Sequence, residues 1–316
     1  MKKKAGLTTL PALGIVELKA CEKKGIMRKL LHCLLLLLCL CGSAPAWADP
    51  ITVRYPRAES LDDERGEYGF ALLQLALAKA GNKYRAVMSQ TSMQQNRALV
   101  ELQSGVGRVD IVGTMTSIER EAALLPVRIP MSRGLIGWRL GLLRADRKEL
   151  LSGVRNIADL KRFTTGQGHD WPDLTILRHN GIVVYPVAVY TSLFGMLNAG
   201  RYDWAPRSLN EIWGEAKHHP ELVVDQHILL HYPTADYFFV NRNNPALAEN
   251  IRQGLELALA DGSFEQLFYQ HYGNGIRRAQ LDKRVLIELP NPLLSPQTPL
   301  ARKELWFSLN DLKRLR

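Results

Sequence analysis

The sequence predicts an α/β fold of two lobes, each a mixed sheet flanked by helices, with a cleft between them. Three observations lead there. Short β-like runs alternate with amphipathic helical runs along the whole chain after residue 50, the pattern of sheets covered by helices. The alternation occurs twice, separated by the long extended run "GLIGWRLGLLR" and rejoined by "HYPTADYFFVNR", which reads as a strand returning to the first unit. The chain of 316 residues is also long enough for two ordinary cores.

Taken in order, "ITVRYPR" is the first strand, and "EYGFALLQLALAKAG" is a helix closed by Gly81. "KYRAVMS" is the second strand. "SMQQNRALVELQSG" reads as a helix opened by Ser92 and Gln95 in capping-box spacing and closed by Gly105. "RVDIVGT" is the third strand. In the second unit Asn156 caps "IADLK", and "RFTTGQG" is a strand entering a glycine turn. "WPDLTILRHNG" is a helix with Pro172 in its first turn. "IVVYPVAV" and "RYDWAPR" are strands around the helix "YTSLFGMLNAG", and Ser208 with Glu211 opens "SLNEIWGEAKHH" as a second capping box. Two helices, "PALAENIRQGLELALADG" and "SFEQLFYQHYG", complete the globular part. The tail from Leu281 holds Pro290, Pro292, Pro296 and Pro299, too many for regular structure, and is expected to pack on the surface.

The formal charge of +10 suggests nucleic acid or membrane, but the N-terminus accounts for much of it. Residues 1–48 carry eight Lys/Arg and two acids, leaving 33 basic against 29 acidic residues in the remainder. No basic stripe with interleaved aromatics is left, which excludes a nucleic-acid reader. Met27-Arg28-Lys29, the apolar "LLHCLLLLLCLC" and Ala46-Trp47-Ala48 form an export signal cleaved before Asp49, with residues 1–26 an extension upstream of it. The expected location is the periplasm, with membrane contact only through a partner. All four cysteines (Cys21, Cys33, Cys39, Cys41) lie in the removed segment, so the mature chain has no disulfide, thiol nucleophile or cysteine metal cluster. The eight histidines lack metal-ligand spacing. No metal or cofactor is expected.

Ligands of open α/β sheets sit at the carboxyl ends of strands. That singles out the loops "YPRAES", "GTMTSIER", "TTGQGHDW" and "DWAPRSLN". In them Arg120 is either a bidentate clasp for a carboxylate or a salt-bridged helix-start residue. Thr114, Thr116 and Ser117 are ligand donors or helix caps. Gln167, Gly168 and His169 form an anion seat before a helix start, or an ordinary strand–turn–helix joint. Trp171 stacks on a ligand or belongs to the core. Arg57 and Glu59 face the cleft or belong to a solvated charge run. Arg207 is the residue of interest at the start of the later helix, with Ser208 a cap.

At these residues the chain resembles the family 3 bacterial extracellular solute-binding proteins, the amino-acid-type receptors of ABC importers. The resemblance runs through Val109-Asp110, Gly113 to Ser117, Glu119-Arg120 and Ile129-Pro130. It continues through Asp159-Leu160, Gly166-Gln167-Gly168, Gly200-Arg201-Tyr202-Asp203, Tyr237 to Val240, and Asp261-Gly262-Ser263-Phe264. It implies the type II periplasmic-binding-protein fold, with lobe 1 at 49–140 and 236–280, lobe 2 at 141–235, and the tail at 281–316. It also implies that Arg120 grips a carboxylate, assisted by Thr114, Thr116 and Ser117. Where these receptors place an acid for the ligand ammonium, this chain has Arg207-Ser208. The expectation is therefore a monomeric receptor for a small polar, anionic solute, delivering it to an ABC permease or reporting it to a membrane sensor. A periplasmic enzyme of the same fold, dehydratase-like, is the lesser alternative. No G-x-S-x-G or H-E-x-x-H motif supports it.

Overall fold

The structure is a computed structural model that describes residues 49–60 and 63–315. The export signal, its cleavage motif, the upstream extension and the four cysteines lie outside the described residues. The chain separates into Met1–Asp49 and Pro50–Arg316, and the second of these units carries the fold.

Its first segment contains β1 (Ile51–Arg57), α1 (Glu67–Lys79), β2 (Tyr84–Ser92), α2 (Gln95–Ser104), β3 (Ile111–Met115), α3 (Ile118–Ala123) and β4 (Leu125–Val127). The predicted strand Ile51–Arg57 and the stop of α1 before Gly81 are both observed; Gly81 adopts φ +91°, which favours a residue without Cβ. The predicted capping box at Ser92 is not formed. Ser92 ends β2, and α2 starts at Gln95 behind Gln94, which makes no side-chain cap. The stretch Ser89 to Ser92 prolongs the strand instead, with β-branched Thr91 suited to extended backbone.

The second segment holds β5 (Trp138–Arg144), α4 (Ile157–Leu160), β6 (Thr165–Gly168), α5 (Pro172–His179), β7 (Val184–Val187) and α6 (Ser192–Asn198). It continues with β8 (Ala205–Ser208), α7 (Ile212–His218), β9 (Leu222–Val224) and β10 (Ile228–His231). Asn156 caps α4 through Asp159 N–H at 3.1 Å, and Pro172 opens α5, both as predicted. Ser208 does not cap α7; its hydroxyl donates to Asn210 and Glu211, and the helix begins at Ile212. The chain then runs through β11 (Asp236–Val240), α8 (Pro245–Ala260), α9 (Ser263–Ala279) and β12 (Val285–Glu288).

Pairing sorts these elements into two lobes. In the first, β1 runs parallel to β2, while β11 lies antiparallel between β3 and β4. Helix α8 packs on α1, where a Cβ on Gly254 would collide with the Ala76 carbonyl, so the close crossing requires glycine. In the second lobe the sheet order is β12-β10-β5-β8 with β9 also on β5, beside the parallel pair β6-β7. Two segments cross between lobes, Met131 to Trp138 and His231 to Asp236. They are tied by Met131 N–H to Asp236 O (2.8 Å) and Tyr232 N–H to Gly137 O (3.2 Å). Gly137 permits this approach, since a Cβ there would strike the Tyr232 carbonyl.

The tail corrects the expectation of a structureless surface segment. Strand β12 joins the second sheet in parallel register with β10, Ile228 opposite Val285. The chain then returns to the first lobe and the crossing segments. Leu293 O accepts from Ile118 N–H, Phe307 N–H donates to Arg133 O at 2.7 Å, and Leu305 and Phe307 are buried. The run "VLIE", which precedes the prolines, forms the strand, and the prolines lie outside it.

Candidate functional site

A cavity of about 150 Å³ opens between the lobes, comparable to one that admits a benzene-sized molecule. The first lobe supplies Tyr55, Arg57 and Glu59 from the end of β1, Asp63 and Arg65 from the following loop, Gln95 from α2, Thr114 from β3 and Asp236 from β11. The second lobe supplies Arg139 from β5, Trp171 and Asp173 at the start of α5, and Arg207, Asn210 and Glu211 between β8 and α7. Most of these side chains sit at the carboxyl ends of strands or the amino ends of helices, which is why two separated α/β units produce one polar site.

The lobes meet around it. The Arg65 guanidinium stands 3.6 Å from the centre of the Tyr190 ring, and Arg278 lies 4.2 Å over Trp213. Lys217 pairs with Glu64 at 3.4 Å. Arg120 donates to the Asp170 carbonyl across the seam at 3.2 Å.

Most charges in the wall neutralise each other. Arg65 pairs with Asp63 (2.7 Å) and Glu59 (3.1 Å), and Arg139 with Asp173 (2.5 Å). Arg207 is fully buried and pairs with Glu215 (2.6 Å) and Glu211 (3.1 Å), its guanidinium 4.8 Å over the Trp171 ring. Burial disfavours the charged forms, yet these partners keep Arg207 well above its ordinary value and hold Glu211 below the usual carboxylate range. The premise for an anionic solute therefore fails at Arg207: its charge is already met by two carboxylates. Glu59 moves the other way, raised chiefly by burial.

Among the described residues around the cavity, two buried charged groups stand without an opposite partner, while the exposed Arg57 has only the Ser89 carbonyl. Arg120 has no carboxylate within ion-pair distance. Its guanidinium donates to neutral oxygens only: Thr114 Oγ1 (3.1 Å), Met115 O (2.8 Å), Gln95 Oε1 (2.9 Å) and Asp170 O. Burial pulls it down to about 10, against weak pulls upward from Asp170, Asp173 and Glu119. It does not itself line the cavity but is one hydrogen bond behind Thr114 and Gln95, which do. Asp236 is the second. It accepts from Ser132 N–H (3.1 Å) and Ser132 Oγ–H (2.8 Å), and burial raises its carboxyl.

Of the residues named from sequence, the cavity gathers Arg57, Glu59, Thr114, Trp171 and Arg207. Arg57 is exposed at the mouth, its Nε donating to Ser89 O. Arg120, Thr116, Ser117, Gln167, Gly168 and His169 do not line it. Thr116 donates to Glu121 (2.7 Å), and Ser117 caps α3 by accepting from Arg120 N–H. Gln167 is fully buried on β6, away from the cavity. Gly168 lies under the Trp171 ring, where a Cβ would clash. The exposed His169 faces Val187 O at 3.4 Å. The anion seat expected at Gln167 to His169 is thus not part of the cavity wall, because Trp171 covers that turn.

Sequence reading missed Arg139, Asp173, Glu211 and Asp236. Arg139 and Asp236 did carry a signal: each is a charged residue inside an apolar strand, "WRLGLL" and "ADYFFV". Among the described residues there is no metal-ligating cluster and no helix long and apolar enough to cross a membrane.

No family model matches the chain, and no curated protein matches it in sequence. Solved structures do match its shape. An ancestral arginine-binding protein bound to arginine superposes with TM-score 0.54 at 17% identity, covering 71% of this chain and 98% of that one. An amino acid ABC transporter substrate-binding protein from Streptococcus pneumoniae bound to L-arginine gives 0.53 at 14%, covering 71% and 94%. An ancestral amino-acid-binding protein described as a precursor of cyclohexadienyl dehydratase gives 0.52 at 15%, covering 71% and 96%. At such identities the likeness speaks for architecture, and this chain has the two-lobed α/β fold of the amino-acid substrate-binding proteins.

Proposed function

We propose that this chain is a periplasmic solute-binding receptor, exported by its N-terminal signal, whose lobes close on a small polar solute for delivery to an ABC permease. The observation that supports the reading is the small interlobe cavity, with Arg120 and Asp236 beside it as the two buried charged groups among the described residues that lack counter-ions. Buried charges are normally paired, so these two mark where a ligand's own charges complete the wall. Arg120 is the carboxylate group's partner, presented by Thr114 and Gln95. A bound carboxylate replaces the neutral Gln95 and Asp170 oxygens at its Nη2 and offsets the burial that lowers its pKa. Arg57 and Glu59 attend the mouth. The balanced wall favours a solute bearing both charges over a plain anion.

Isothermal titration calorimetry on Arg120→Ala tests this. Losing the pair to a desolvated carboxylate should weaken binding by about 2–5 kcal/mol. Affinity within a factor of two of the parent's would remove Arg120 from the site.

A further inference from the structure

Asp236 stands where the second crossing segment re-enters the first lobe, at the first residue of β11. It is 6% exposed, and its remaining surface belongs to the cavity wall. Every other carboxylate named in that wall has an arginine: Glu59 and Asp63 share Arg65, Asp173 has Arg139, and Glu211 has Arg207. Asp236 has only Ser132, whose backbone N–H and hydroxyl both donate to its Oδ1. Among the described residues no cation forms an ion pair with it: Arg65, Arg139 and Arg207 of the same wall are held by other carboxylates, and Arg133, beside Ser132, pairs with Glu265. Tyr55 of β1, Tyr68 of α1 and Tyr272 of α9 are coupled to its charge, and the lobe-2 residue facing it is the acid Glu211. The Tyr68 hydroxyl does not serve it either, donating to Met131 O at 2.8 Å.

A carboxylate set among three phenols, another acid and the Ser132 donors lacks a positive charge, and an uncompensated buried charge is costly. We infer that Asp236 receives the cationic group of the solute, as the residue that selects for an ammonium or guanidinium end. The inference rests on the cavity being a solute site. A purely structural role, Asp236 as a latch between the crossing segments through Ser132, is the competing account. The two separate in the Asn variant, which keeps an acceptor for both Ser132 donors and loses the charge.

A consequence follows for protons. Burial, then Glu211, lifts the free carboxyl above the usual range, and a cation bound to it must favour the ionised form. Cation binding therefore drives a proton from Asp236, and affinity rises with pH from about 4 upward until the free carboxyl is ionised.

The test is calorimetry on the full mature chain with L-arginine, L-glutamine, putrescine and succinate as probes, using the parent and Asp236→Asn. The expected result is at least a tenfold loss of every cation-bearing probe in D236N, with succinate unaffected. In the parent, the binding enthalpy should differ between acetate and piperazine buffers at pH 5 by the released proton multiplied by the difference in their ionisation heats. That second reading needs no variant, so it stands even where D236N folds poorly. Equal affinity of parent and D236N for a cation-bearing probe would overturn the assignment and leave the cavity reading intact. A parent that binds none of the cation-bearing probes, or succinate alone, overturns both.

Discussion

Arg207 is buried with its charge complete, so its removal should act on stability. The perturbation is Arg207→Met, close in length and unable to pair. It deletes Nε to Glu215 Oε2 (2.8 Å), Nη2 to Glu215 Oε1 (2.6 Å) and Nη2 to Glu211 Oε2 (3.1 Å), and the 4.8 Å contact over Trp171. What remains is Glu215, 5% exposed, holding only the Tyr190 hydroxyl at 3.1 Å. Stranding one partner of a buried pair costs about 3–5 kcal/mol. Glu211 is less affected, because Arg139 and Arg65 also lower its pKa and Ser208 donates to it. For a domain of this size the loss corresponds to a fall in Tm of roughly 6–20 °C. Adding Glu215→Gln to Arg207→Met keeps the Tyr190 bond and removes the stranded charge, so it should recover about 1–3 kcal/mol. Differential scanning calorimetry and urea titration of the single and double variants form the assay. An Arg207→Met protein within about 1 kcal/mol of the parent, or a double variant less stable than the single, would refute this account of Arg207.

Asp236 gives a stability prediction independent of ligand. Its folded pKa lies above the unfolded value, so the folded state holds the extra proton, and this group's contribution declines as pH rises from about 4. Asp236→Asn should therefore gain on the parent in urea titrations as pH rises toward 7, and a constant difference across that range would contradict it. The tail yields another. Phe307 is 4% exposed and edge-on to Trp138 at 5.9 Å, so Phe307→Ala should lose about 3–5 kcal/mol, read as a shift in the urea midpoint at pH 7. A loss under 1 kcal/mol would return the tail to a surface role.

Local structure was legible wherever one residue fixes one local geometry. The strand Ile51–Arg57, the Asn156 cap, Pro172 at a helix start and the glycine after α1 all follow from backbone propensity and nearby hydrogen bonds. The two failed capping boxes show the limit. Ser92 and Ser208 have the right spacing, but strand pairing claims the first and a carboxylate–arginine cluster claims the neighbourhood of the second. The tail was misjudged because its prolines describe only the stretch 290–299, while the edge of β10 that β12 pairs with belongs to another part of the chain.

By itself the sequence determined the α/β alternation, the two units and the loops at the strand ends, since these depend on periodicities of two and 3.6 and on residues within a turn of one another. It also singled out Thr114 and Arg57, which the structure puts at the cavity, and Arg120, which it read as lining the site and which lies one hydrogen bond behind it. Only the tertiary structure decided which charges remain open. Whether Arg207 is a ligand clasp or a buried strut depends on Glu211 and Glu215 turning toward it, and whether Asp236 is isolated depends on β1, α1, α9 and α7 all failing to offer it a cation. Coulomb energy follows distance in space and local dielectric, and neither can be read from separation along the chain.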